Sequence, residues 1–124
     1  MIVLDSSCWL EYVRRTTHAG ELAAAVERPD QLIVPSITLF EVGKKMKMQE
    51  GEEAARDLFL AMRRGTVVNL DEDIALRAIG LSIEHELPLA DSIILATARR
   101  CGAELWTMDS DFKDLEGVKY IAKK

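Results

Sequence analysis

The sequence predicts an α/β fold built on a parallel sheet with helices on both faces. Short, almost wholly apolar runs recur at Ile2–Leu4, Leu32–Val34, Val67–Val68, Glu104–Thr107 and Val118–Ile121. Longer segments with apolar residues at helical spacing separate them. Residues that cap or break helices mark the junctions. Strands this apolar must be buried on both sides, and strands alternating with helices are the pattern of a parallel sheet.

Each element has its local reason. After Ile2-Val3-Leu4, Asp5-Ser6-Ser7 offers capping side chains for a helix through Trp9, Leu10 and Val13 to Arg15. A second helix runs from Gly20 to Arg28, with Leu22, Ala25 and Val26 on one face and Pro29 at its end. Following Leu32-Ile33-Val34, Pro35-Ser36 supplies a serine cap for a helix lasting to about Gln49, which Gly51 breaks. Another helix covers Glu52 to Arg64, with Ala55, Leu58, Phe59 and Met62 at helical spacing and Gly65 as its stop. Beyond Val67-Val68, Asp71 caps a helix that carries Asp73 in its first turn and is expected to bury Ala75, Ala78, Ile79 and Ile83. Leu87-Pro88 separates it from a helix spanning Leu89 to Arg100, closed by Gly102.

A chain of 124 residues, 48% apolar and 30% charged, suits one compact domain over residues 1–124, and it contains no repeat or linker. Cys8 and Cys101 sit among apolar neighbours without CxxC spacing, so both read as buried thiols in a reducing compartment. Met1–Leu4 is too short for a signal peptide, and no apolar run approaches the ~18 residues of a membrane span. These features predict a cytoplasmic protein with no membrane association. The net charge of −5 argues against binding nucleic acid through a broadly basic surface. Basic residues nevertheless cluster at Arg14-Arg15, Lys44-Lys45-Lys47, Arg63-Arg64 and Arg99-Arg100, where cations also suit helix C-terminal ends.

Four acids stand where strands hand over to helices: Asp5, Glu41, Asp91 and Asp109. Ligands of open parallel sheets bind outside the carboxyl ends of the strands, and right-handed crossovers would bring all four acids to that edge. Each also has a bland explanation. Asp5 could simply cap its helix, Glu41 could pair with Lys44 or Lys45, Asp91 could suit its helix N-terminus, and Asp109 could begin a turn. Asp91 is the hardest to dismiss, because the apolar run Ile93-Ile94-Leu95-Ala96 marks its helix as buried, and deep charges are rare unless paired or on a metal.

With Asp5 in "IVLDSS", Glu41 in "PSITLFEVGK", Asp91 in "LPLADSIILATA" and Asp109 in "LWTMDSDF", the sequence resembles the PIN domain along essentially its whole length. The subgroup it is most similar to is the VapC-like ribonuclease toxins of prokaryotic toxin–antitoxin pairs. The resemblance implies a Rossmann-like α/β/α domain with a five-stranded, mostly parallel central sheet, Mg²⁺ or Mn²⁺ dependence, and endonucleolytic cleavage of RNA. It makes Asp5, Glu41, Asp91 and Asp109 the metal-binding catalytic acids, with Ser6 and Thr107 supporting them and Asp111 in a minor role. It further implies a homodimer and a cognate antitoxin.

Carboxylate ligands suit hard cations, and neither His18 nor His85 lies near an acidic motif to suggest zinc. Two ions ~3.5–4 Å apart could clamp a scissile phosphate, leaving a 5′-phosphate and a 3′-hydroxyl. Asp5 and Asp91 are expected to be direct ligands, with Glu41 and Asp109 ligating directly or through water. Arg14, Arg15, Lys44, Lys45 and Arg99 are candidate RNA contacts, and single-stranded or loop RNA the expected target. Trp9 and Trp106 read as core. Phe40, Met46, Met48 and Phe59 could form a dimer or antitoxin surface, or ordinary core. A phosphoacceptor receiver would need paired acids after the first strand, and a nucleotide enzyme a glycine-rich phosphate loop there; both are missing. The remaining alternatives are a non-catalytic interaction module of the same fold and a housekeeping RNA-processing nuclease.

Overall fold

The computed structural model of the protein describes residues 1–15 and 17–123. Five strands, β1 (Ile2–Leu4), β2 (Leu32–Pro35), β3 (Thr66–Val68), β4 (Glu104–Thr107) and β5 (Val118–Tyr120), form one sheet in the order β3-β2-β1-β4-β5. Every pairing is parallel, so the sheet is parallel throughout. Six helices connect them: α1 (Ser6–Arg14), α2 (Ala19–Val26), α3 (Ser36–Glu50), α4 (Glu52–Met62), α5 (Glu72–His85) and α6 (Leu89–Arg100). No helix among the described residues is long and apolar enough to cross a membrane.

The strands are apolar throughout because their two faces bury different partners. Leu4, Leu32, Val34 and Trp106 join Trp9, Leu22, Val42 and Leu58 in a core shared with α1 to α4. Val3, Ile33 and Leu105 meet Ile94, Leu95 and Ala98 of α6, with Phe112 beside them. This alternation is the period of two that a pleated strand imposes. Both tryptophans belong to the core, Trp9 packing edge-to-face on Tyr12 at 6.4 Å between ring centroids.

Helix α6 is buried without interruption from Ser92 to Ala98. Its polar residues are satisfied within the helix, Ser92 Oγ donating to the Pro88 carbonyl at 2.8 Å and Thr97 Oγ1 to that of Ile93 at 2.7 Å. Helix α5 lies outside it, packing through Ile74 and Ala78 onto Ile93 and Ala96. It is therefore an outer layer. Ala75, Ile79 and Ile83, expected to be buried, face outward instead, with Ile83 76% exposed.

Several other expectations need correction. Ser36 does not cap α3. Pro35 occupies the cap position, and Ser36 Oγ accepts the Leu70 N–H at 3.2 Å, tying α3 to the segment after β3. Met46 is buried, whereas Phe40 and Met48 are exposed. Cys101 is only half-buried. Pro29 does not directly end α2, which stops at Val26; it opens a 3₁₀ turn, Pro29–Gln31, where its fixed φ is suited to a first helical position. Asp71 caps α5 as expected, accepting the Ile74 N–H at 2.9 Å.

The chain leaves β1 to build β2 and β3 on one side, then returns to build β4 and β5 on the other. The carboxyl ends of β1 and β4 therefore lie side by side where the strand order reverses, the usual place for a site in such sheets.

Gly65 governs how closely the chain approaches β2 on entering β3. A Cβ there would lie 2.9 Å from the Leu32 carbonyl oxygen and 3.1 Å from Val34 Cγ2. Gly65→Ala is expected to destabilise the protein by ~1–3 kcal/mol through overpacking, read as a lower urea midpoint.

Candidate functional site

Leu4 pairs with Trp106, and the Asp5 N–H donates to the Trp106 carbonyl at 3.1 Å, so Asp5 emerges directly against the end of β4. Its carboxylate is 4% exposed. Oδ1 accepts from Ser7 Oγ at 2.6 Å and from the Cys8 N–H at 3.0 Å, the second bond being the N-cap of α1. Oδ2 accepts from Thr107 Oγ1. Both hydroxyls also work outward: Thr107 Oγ1 accepts the Asp109 N–H at 2.9 Å, and Ser7 Oγ accepts the Met108 N–H at 3.1 Å. Asp5 is thus both a cap and a knot that fastens the loop after β4 to the start of α1.

Burial pushes the Asp5 carboxyl above its ordinary range, while the hydrogen bonds from Ser7, Thr107 and Cys8 oppose that shift. Burial and the Asp5 charge together push the Cys8 thiol strongly upward, so it stays protonated.

The other acids gather around this knot. Glu41 stands in the second turn of α3, half-buried, and accepts a 2.6 Å hydrogen bond from Ser6 Oγ. Asp91 stands in the first turn of α6, also half-buried. Its carboxyl is pushed up to about 7, first by burial and then by the charges of Asp109, Asp5, Glu41 and Asp111. Asp5, Glu41, Asp109 and Asp111 therefore lie near enough to Asp91 for their charges to act on it. Asp109 caps the 3₁₀ turn Ser110–Phe112 by accepting the Asp111 N–H at 2.9 Å, and that turn carries Asp111 into the group. Asp91, Asp109 and Asp111 each offer a carboxylate oxygen within 4.8 Å of the others.

This alters the expected division of labour. Asp111 is a full member of the cluster, and Asp5 has its oxygens engaged by protein donors. The spacing Asp109-Ser110-Asp111 held the clue, since a 3₁₀ turn returns the second acid to the side of the first. Ser7 was also missed; it lies beside the expected Ser6, which serves Glu41 instead. The donor set is all oxygen and suits a hard divalent cation such as Mg²⁺ or Mn²⁺. His18 lies near the Ala122 carbonyl and His85 near Glu84, and neither joins the acids.

The basic candidates divide in two. Lys44 and Lys45 line a groove of about 500 Å³ with Ser6, Phe40, Glu41 and Met48, next to the acids. Lys44 Nζ lies 5.8 Å from the Phe40 ring centroid. Arg14 and Arg15 stand at the opposite end of α1 from Asp5, Arg14 donating to Gln49 Oε1 at 2.6 Å and Arg15 bordering a separate cavity between α1, α2 and α4. Arg99 is ~12 Å along α6 from Asp91 and donates to the Glu116 carbonyl at 3.2 Å.

Two outcomes follow from this geometry. Thr107→Val keeps the shape but leaves Asp5 Oδ2 and the Asp109 N–H without their partner, so a loss of ~1–3 kcal/mol is expected in urea denaturation. The second concerns pH. The folded-state pKa of Asp91, about 7, lies above the ordinary 3.8. Folding therefore favours its protonated form, and that contribution is complete below pH 3.8 and lost as pH rises through about 7. Metal-free protein should accordingly melt at falling temperatures across that window, and Asp91→Asn should flatten much of the slope in a calorimetric pH series.

The chain matches the PIN domain family over residues 2–118. It superposes on a protein of a toxin–antitoxin complex from Klebsiella pneumoniae with TM-score 0.79 and 30% identity, covering 98% of this chain and 100% of that one. VapC20 of Mycobacterium tuberculosis, a sarcin–ricin loop cleaving toxin, shares the fold at TM-score 0.75 and 19% identity, over 94% of this chain and 95% of that one. So does VapBC-1 of nontypeable Haemophilus influenzae, at TM-score 0.71 and 22% identity, over 98% of each chain. No match was found among curated proteins.

Proposed function

Since this chain belongs to the PIN-domain family, we propose that it is a divalent-metal-dependent endoribonuclease and the toxin of a VapBC-type toxin–antitoxin pair. The observation that carries the proposal is the grouping of Asp91, Asp109 and Asp111, whose carboxylate oxygens lie within 4.8 Å of one another, with Asp5 and Glu41 near enough for their charges to act on Asp91. Similarity over the full length to a protein of a toxin–antitoxin complex, and in fold to a toxin that cleaves the sarcin–ricin loop, supports the substrate class and the partner. On this reading residues 1–124 act as one domain in the cytoplasm, with RNA as substrate and a cognate antitoxin and a second copy of the chain as partners.

Asp91, Asp109 and Asp111 would hold Mg²⁺ or Mn²⁺, with Glu41 and Asp5 adding negative charge at the margin of the same pocket. When bound, such an ion acidifies water for in-line attack and offsets the charge developing on the scissile phosphate. The protein's part is positional. Ser7 and Thr107 fix Asp5 and the Asp109 backbone, so neither acid has to reorganise on binding. Asp91, whose carboxyl is pushed up to about 7 without a cation, must release any bound proton before it can ligate, so cation affinity rises with pH. Lys44 and Lys45 would meet the phosphates of a strand lying along α3, with the 65% exposed Phe40 ring offering a stacking surface for a base.

The test is cleavage of a mixed RNA pool by the antitoxin-free protein. Cutting that requires Mg²⁺ or Mn²⁺ and leaves 5′-phosphate ends is expected. Asp91→Asn and Asp109→Asn should each slow it by about 100-fold or more while leaving the fold intact. Equal cutting in chelator, or full activity in both variants, would overturn the proposal.

A further inference from the structure

A groove leads away from the acids between α1 and α3, with the buried Leu10 of α1 in its lining. Two neighbouring stripes of α3 border it at four-residue spacing. One is Glu41, Lys45 and Gln49; the other is Phe40, Lys44 and Met48, whose ends are 65% and 77% exposed. The groove thus begins at an acid of the pocket, continues past two cations and ends at an amide. From Glu41 to Gln49 the helix rises about 12 Å, several times the ~3.4 Å between successive nucleotides along one strand of a duplex. Bases seated near Phe40 and near Gln49 are therefore not stacked neighbours. That geometry suits a single strand whose bases are splayed apart.

Gln49 is the selective element, and Arg14 decides what it selects. Arg14 Nη2 donates to Gln49 Oε1 at 2.6 Å, and Arg14 does not itself line the groove. A guanidinium offers only N–H donors, so the end of the amide that faces it must be the oxygen. This fixes an amide that could otherwise present either end. The other end, Nε2, is a pure donor with no hydrogen-bond partner among the described residues. Bases differ in what they offer such a donor. Uracil O4 and guanine O6 accept, whereas cytosine N4 and adenine N6 are donors themselves.

We propose that this groove seats the single-stranded RNA beside the cut, Phe40 stacking one base and Gln49, held by Arg14, selecting a keto base (uracil or guanine) at a second position. Arg14 is then a positioning residue, in place of the direct RNA contact that the sequence suggested. The proposal rests on the RNA-cleaving reading above and adds the base class that the site would take.

Binding of short fluorescent oligo(U) and oligo(C), read by anisotropy in Mg²⁺, tests it in the Asp109→Asn protein, where cutting is slow. The two probes have rings of equal size and differ at the groups Gln49 would read. Oligo(U) should bind about 5–10-fold tighter than oligo(C), the effect of about one hydrogen bond. Gln49→Leu should bring that ratio to about one, and Gln49→Glu, which only accepts, should reverse it. Arg14→Met should erase the preference, and Arg14→Lys, which can still donate to Oε1, should restore most of it. A purely electrostatic Arg14 would instead shift both affinities and leave the ratio unmoved. Phe40→Ala should weaken both probes alike, by about 10-fold. A ratio of one before substitution, or one that survives both Gln49→Leu and Arg14→Met, overturns the selection. Failure to bind either probe overturns the groove, even if the wild type cuts RNA. An oligo(U) preference that responds to these variants, in a chain whose wild type cuts nothing, upholds the groove and overturns the cleavage reading alone.

Discussion

A carboxylate that is 4% exposed would ordinarily be driven toward protonation, and the structure around Asp5 is arranged to resist that. Its two oxygens receive three donors: a hydroxyl from α1, a backbone N–H from the same turn, and a hydroxyl from the end of β4. The two hydroxyls each accept a backbone N–H from the segment after β4. Removing Asp5 would therefore release both the start of α1 and the loop that presents Asp109 and Asp111. The adjacency of β1 and β4 in the sheet order brings these groups together, so the topology serves the pocket directly.

Around this knot the acids carry unequal loads. Asp5 and Glu41 are engaged by hydroxyls, whereas among the described residues no hydroxyl donates to Asp91, whose carboxyl is pushed up by burial and the shared charge. Repulsion among carboxylates makes the pocket costly when empty of cations and receptive to them, which links metal affinity to fold stability. Exposed ion pairs elsewhere, such as Arg77 with Asp73 at 2.9 Å, contribute little by comparison. The pair of Arg100 with Asp71 is of the same exposed kind, its guanidinium holding that carboxyl below the ordinary range at the cap of α5.

The parallel sheet, the order of the elements and the gathering of Asp5, Glu41, Asp91 and Asp109 were legible in the sequence, because apolar strands and acids at strand ends are local signals. The layering of α5 was not. Ile74 and Ala78 share one helical stripe, and Leu76, Ile79 and Ile83 share another, so periodicity alone could not say which one faces the core. Asp111 was underweighted because its membership depends on the 3₁₀ geometry of Ser110–Phe112 and not on residue type. Ser36 looked like a cap from its place before a helix, yet its hydroxyl serves the Leu70 N–H, a partner 34 positions away that no local rule could supply.

The hydrogen bond from Thr107 to Asp5 spans 102 positions of the chain. A polypeptide emerging from the ribosome presents Asp5 early and cannot complete its surroundings until β4 has been synthesised and inserted beside β1. The first acid is thus made about a hundred residues before the strand that completes its surroundings.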